Sequence, residues 1–286
     1  MVYDPTLFNT DAYYDDFNSD KGFLRFLFRP GSAVQARELT QIQTLLQSQV
    51  QRFGNHIFAD GSIVAGGEVT ENILKAVRFA NLSGASYSEI IGSNLSLGVT
   101  SIGNVIYAEG GISGSSVDTL NVAYVHYTSG LTFTKNAVIS GTASGNPFTF
   151  QVTDLTAVPG SYVSDAKLIT VSNGIRYVDG FFVGYTAQNI GLYNLNGSAG
   201  SEYRNFVDPT VRVGFTVNRS FVNSDLDETL LDPAYGSYNY GAPGSDRYKI
   251  SLDIKQYDFT PSDTSATDNL SRVDFVEFMR VVDGTT

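Results

Sequence analysis

The chain has 286 residues, 29 acidic against 18 basic, a formal net charge of −11, two histidines and no cysteine. Those totals exclude disulfides, cysteine-held zinc and a histidine-rich metal site within one chain, and they argue against nonspecific binding to nucleic acid or an anionic membrane, which needs a basic patch. Glycine (28), phenylalanine (19) and tyrosine (17) are abundant and tryptophan is absent, a mix of turn formers and aromatics that goes with β-rich modules.

Residues 1–27 read as an extended arm, acidic and aromatic, with Tyr13, Tyr14 and Phe17 set among Asp15 and Asp16. Aromatic rings are costly to leave in water, so the arm is expected to lie against its own chain or a neighbour. Met1-Val2-Tyr3-Asp4-Pro5 is not a signal peptide, and no run is long and apolar enough to span a bilayer.

One long helical pattern follows. Pro30-Gly31 breaks the preceding run, Ser32 suits an N-cap, Gln35 sits three residues on, and Gly54 follows Phe53 as a C-cap glycine would. Between them Leu39, Ile42, Leu46, Val50, Phe53 and Ile57 recur at steps of three and four, which is one helix face. The other faces carry Gln35, Gln41, Gln43, Gln47, Gln49 and Gln51 and few charges. Two readings fit: an amphipathic helix packed on a sheet, or a helix whose apolar seam and amide faces meet copies of itself or neighbouring subunits.

From residue 61 onward the pattern is strand and turn. Residues 61–70 predict a strand with a glycine turn, and 73–80 and 86–91 are short ambiguous runs. Residues 95–154 predict short strands separated by Gly-Gly, Ser-Gly and Gly-Asn-Pro turns, read as an inserted β domain. In 121–126 the alternation sets Asn121, Ala123 and Val125 opposite Val122, Tyr124 and His126. Asn173-Gly174 is the preferred dipeptide of a two-residue type I′ turn and predicts a hairpin of 167–172 with 175–178. Asp179-Gly180 leads into a further strand at 181–185. Strands at 211–217, 248–254 and 273–282 flank a loop at 223–244.

Candidate chemistry is sparse. Asp225, Asp227, Glu228 and Asp232 form an acidic cluster that could be imagined around a cation, but they lack the spacing of an EF-hand loop. His56, past the end of the helix, and His126, in a strand, read as packing or hydrogen-bonding residues. No phosphate loop, nucleophile elbow or paired-histidine helix is present. The reading is no catalytic residue, no metal ligand and no cofactor.

Three separated blocks carry a resemblance. They are 14–17 with 28–43, 51–58 and 61–62; the segment 173–183; and 230–234 with 239–247. Together they resemble a family of tailed-bacteriophage virion structural proteins, baseplate and tail-fibre components of T4-like phages of cyanobacteria and other marine hosts. Residues 95–155 carry no matching motif. The resemblance implies a tail protein of the virion, assembled in the host cytoplasm, either a short family member or the amino-terminal part of a longer fibre. It implies a homotrimer with other tail or baseplate proteins as partners; the charge and the lack of a spanning run add the expectation of neither nucleic-acid binding nor membrane insertion. The seam of Leu39, Ile42, Leu46, Val50 and Phe53 would be a three-fold contact, with Arg29, Arg37 and Glu38 near its entrance.

The expected architecture is mainly β with one long N-terminal helix: an extended arm, the helix, then short-stranded β-sandwich or barrel-like modules, elongated overall. The expected parts are 1–60 for arm and helix, 61–94 with 155–222 as one β module, 95–154 as the insert, and 223–286 as loop and C-terminal module. Expected interface residues are Leu39, Ile42, Leu46, Val50, Phe53, Tyr13, Tyr14 and Phe17. Two other functions compete: a carbohydrate- or receptor-binding β module using the tyrosines of 223–244, and a tail-spike polysaccharide-degrading enzyme.

Overall fold

The computed structural model describes residues 5–258 and 274–286. Residues 1–4 of the expected arm and 259–273 of the expected C-terminal module, including the start of the closing strand at Val273, lie outside that range. The fold is mainly β, with 45% strand and 11% helix.

The helix α1 spans Ala36–Ile57. It starts later than the Ser32 reading, because the cap is made at Gln35: the Glu38 carboxylate accepts the Gln35 backbone N–H at 2.8 Å, and Arg37 Nε donates to Gln35 Oε1 at 2.6 Å. It also ends later. Gly54 lies inside the helix, and the Phe58 N–H donates back to its carbonyl at 2.8 Å. Gly54 serves close approach instead, since a Cβ there would stand 2.5 Å from Cε2 of Tyr177.

Sixteen strands follow among the described residues, the first ten being β1 (Ile63–Gly66), β2 (Val69–Ser83), β3 (Asn94–Leu97), β4 (Thr100–Glu109), β5 (Asn121–Tyr127), β6 (Val138–Ala143), β7 (Asn146–Val152), β8 (Val163–Val171), β9 (Gly174–Val178) and β10 (Phe181–Tyr185). The remainder are β11 (Gln188–Gly191), β12 (Asn194–Asn196), β13 (Tyr203–Asn205), β14 (Val211–Val222), β15 (Arg247–Asp258) and β16 (Phe275–Val281).

The largest sheet runs β11-β8-β2-β5-β4-β3-β6-β7. The long strand β2 is shared. Its residues 69–77 pair with β8, and Phe79, Ala80 and Ser83 pair with β7. That second pairing joins the far end of the sheet back to β2, closing β2, β5, β4, β3, β6 and β7 into a six-stranded antiparallel barrel. Val77, Phe79, Leu95, Ile102, Phe148 and Phe150 fill it. The strands of 95–154 thus form most of a barrel but take their sixth strand from the 61–94 segment. Alternation in β5 separates two cores: Ala123 and Val125 face the barrel interior, while Val122 and Tyr124 pack outside it with Leu168 and Phe206.

Asn173-Gly174 does not make a hairpin. β8 pairs with β2 and β11, whereas β9 pairs with β1 and β10. The chain passes from one sheet to the next at this point, beside Gly66-Gly67, where the partner strand makes the same crossing. A Cβ on Gly66 would lie 2.4 Å from the Asn173 carbonyl oxygen, so the corner needs glycine. The type I′ turn lies at Asp179-Gly180, with φ of 53° and 83°, linking β9 to β10.

The third sheet, β15-β14-β16, is centred on β14. Its Val211, Val213, Phe215 and Val217 pack against Ile169, Val171, Val178 and Val183. Arg176 of β9 is buried at this junction, its guanidinium carbon 5.1 Å from the ring centres of both Phe215 and Phe278. Nη1 donates to the Gly61 carbonyl at 2.9 Å, while Nε and Nη2 find no acceptor among the described residues, so ring faces substitute for hydrogen bonds.

Candidate functional site

The helix docks by its polar face. Gln47 Nε2 donates to the Gly180 carbonyl at 2.6 Å, and the Tyr177 hydroxyl lies 3.0 Å from the Gln51 carbonyl oxygen and 2.8 Å from Asn55 Oδ1. Phe58 then packs on Tyr177 and Phe182. The β9–β10 hairpin therefore receives amides and a glycine rather than the apolar residues of the helix.

The arm covers the adjoining side. Thr44 donates its hydroxyl to the buried Asp15 carboxylate, Gln41 donates to Asp16, and Arg37 stands 3.6 Å from Asp16. At about 100° per residue, these docked positions lie across the helix from the apolar seam. Leu39 is 53% exposed, Leu46 57%, Val50 42%, Phe53 66% and Ile57 57%, with Ile42 half-buried. Leu45, at the edge of the docked side, is buried. Phe23, Leu24 and Leu27 of the arm, and Phe28 and Val34 between arm and helix, are exposed as well. Exposed apolar surface on this scale marks an interaction site rather than ordinary surface scatter.

The expected arm residues divide. Tyr13 is used within the chain: its ring stacks on Phe221 and its hydroxyl donates to Asp246. Tyr13 thus already has a partner in the C-terminal sheet while staying half-buried. Tyr14 is exposed and donates to Asp11 at 2.7 Å, and Phe17 is half-buried.

A buried cluster of ionisable groups lies elsewhere, where the barrel meets β13. Arg204 donates to Asp118 through Nε at 3.0 Å and Nη2 at 2.9 Å, and its Nη1 stands 3.0 Å from Glu109. Tyr124 donates to Glu109 at 2.7 Å, and Arg78 Nη2 donates to the Arg204 carbonyl at 2.5 Å. Burial pushes the Glu109 carboxyl up against the opposing pull of Arg204. Burial also acts on Asp118, but hydrogen bonds and charge from Arg204 outweigh it and hold that carboxyl low. Tyr193, beside the cluster, is pushed up to about 12 by burial and by Glu109. Each nitrogen of the Arg204 guanidinium has an acceptor within the chain, so Arg204 works as a clamp, while Arg78 Nε is buried with no acceptor among the described residues. No spacing in the sequence signals the cluster, because its members come from separate strands and loops.

The acidic residues of the long loop act as local caps. Asp227 Oδ1 accepts from the Thr229 N–H at 3.0 Å and Asp232 Oδ1 from the Ala234 N–H at 2.8 Å. Among the described residues no group of three or more His, Cys, Asp or Glu side chains is placed to hold a metal ion. The loop is closed at its base by Leu231 bridging Pro243 and raises Tyr235, Tyr238 and Tyr240 into solvent. His56 and His126 are both exposed. Among the described residues no helix is long and apolar enough to cross a membrane.

Residues 11–80 match the family model of a domain of unknown function, DUF4815. The matched segment takes in most of the arm, the whole helix, β1 and most of β2. No curated protein and no solved structure matches the chain.

Proposed function

We propose that this chain is a structural component of a phage tail, a baseplate or proximal tail-fibre or fibre-attachment protein, working through protein–protein interfaces as a homotrimer and without catalysis. The observation that carries the reading is the helix itself. It docks on its own chain through Gln47, Gln51 and Asn55 and leaves an apolar seam in solvent, which suits a chain whose stable form is an assembly. The arm and helix blocks that resemble virion proteins are the same residues that form this surface. The test is particle composition. Virions produced from the encoding genome should carry the chain as a stoichiometric tail component, by mass spectrometry and by immunogold labelling of the tail. A chain that is expressed but absent from purified particles would overturn the reading.

A second reading has one observation in its favour. Tyr235, Tyr238 and Tyr240 are 89%, 110% and 56% exposed on a loop tied at its base, and tyrosine rings suit stacking on sugars. Under the structural reading a glycan array returns no ligand; a glycan hit lost on Tyr238→Ala would instead favour a receptor-binding module.

A further inference from the structure

The seam has a period of its own. Leu39 and Val50, Ile42 and Phe53, and Leu46 and Ile57 are each eleven residues apart, giving steps of three, four, four, three and four. Eleven residues in three turns is about 3.67 per turn, close to an unstrained α-helix and on the right-handed side of it. A seven-residue repeat begun at Leu39 would instead place Gln49 and His56 on the seam. Both positions are polar, and their successors Val50 and Ile57 are apolar and exposed.

We propose that this seam is covered by the same seam of other copies of this chain. The helices lie parallel and in register around a common axis, nearly straight with a slight right-handed supercoil. The proposal rests on the reading of the chain as an assembly protein.

Three observations favour a copy over an unlike partner. In a symmetric packing each layer meets itself, and every seam layer is apolar, so no layer sets like charges together. The chain carries −11, yet the charged residues of the helix are Arg37, Arg52 and Glu38, a net of +1 apart from His56, so the acidic surplus that would drive copies apart lies outside the helix. The body also docks across the helix from the seam, which leaves room for an axis.

Area favours more than a pair. The 22-residue helix is about 33 Å long and one helix about 10 Å wide, a strip well short of the ~800 Å² per partner of a stable interface. Around an axis each helix meets two neighbours. A parallel arrangement also gathers Phe23, Leu24, Leu27 and Phe28 of all copies at one end.

The natural chain has no cysteine, so single-cysteine variants report packing directly. Val50→Cys and Ile57→Cys should form disulfide-linked pairs under mild oxidation at least tenfold faster than Gln49→Cys and His56→Cys. All four side chains are exposed, so circular dichroism should show each variant folded as the parent. Faster linking at 49 and 56 would mean a left-handed seven-residue packing and overturn the geometry. Linking of Leu39→Cys to Ile57→Cys only when the two variants are mixed would mean antiparallel helices and overturn the register. No linking anywhere, with light scattering showing single chains, would overturn self-packing. None of these outcomes bears on whether the chain resides in virions, which particle composition decides separately.

Discussion

Replacing Ile42 and Leu46 together with aspartate should reduce the chain from an oligomer to a single 31.0 kDa species without unfolding it. Leu46 is 57% exposed and Ile42 half-buried, so the folded chain loses little packing. The cost inside the chain is mostly helix propensity, about 1 kcal/mol for the two aspartates. At a symmetric contact the effect is far larger. Each copy would bring two carboxylates to a surface whose layers meet themselves, and the loss of central apolar anchors alone is worth about 2 kcal/mol or more per site. Dissociation constants should rise at least a hundredfold. Multi-angle light scattering at matched concentration reads this directly, with three times 31.0 kDa expected for the parent. An unchanged mass for the double variant would remove the seam from the assembly. Leu45→Asp is the contrast, since Leu45 is 5% exposed and its variant should lose melting temperature as well.

Arg204→Met should be among the most destabilising single changes in the chain. Asp118 is fully buried and draws two side-chain hydrogen bonds from Arg204. Removing the arginine leaves Asp118, and the largely buried Glu109, short of their main cation. Breaking a buried pair in this way costs about 3–5 kcal/mol, or about 10 °C of melting temperature for a chain of this size. The pH dependence has a definite sign. In the parent the Asp118 carboxyl is held below its ordinary 3.8, so its contribution is present above that value and is lost as pH falls through the lowered one. In the variant burial acts with far less opposition and raises the carboxyl. The variant therefore regains stability relative to the parent on acidification. Calorimetry at pH 7 and pH 4.5 should show the gap between them narrowing. A gap that widens, or a shift of under 2 °C at pH 7, would show that the cluster is not the clamp described.

The sequence by itself determined the elements. Composition and alternation specify a β-rich chain with one long helix, and the three-and-four spacing of Leu39, Ile42, Leu46, Val50 and Phe53 specifies that these share a face. The same is true of β5, where period-two alternation separates Ala123 and Val125 from Val122 and Tyr124. Such patterns are local, set by backbone geometry over a few residues. What a face meets is a different matter. Only the tertiary structure showed that the helix docks through Gln47, Gln51 and Gly54, because that choice depends on a hairpin more than 120 residues further along the chain. It also turned Asn173-Gly174 from a hairpin into a corner. The dipeptide permits a tight turn, but the strands on either side pair elsewhere, β8 with the long β2 and β9 with β1 and β10. The buried cluster was least legible of all: Arg204 and Asp118 stand 86 residues apart, and a single arginine or aspartate carries no period. Local spacing encodes which side chains travel together, and long-range packing decides which of them are used up inside the chain and which remain to be covered by something else.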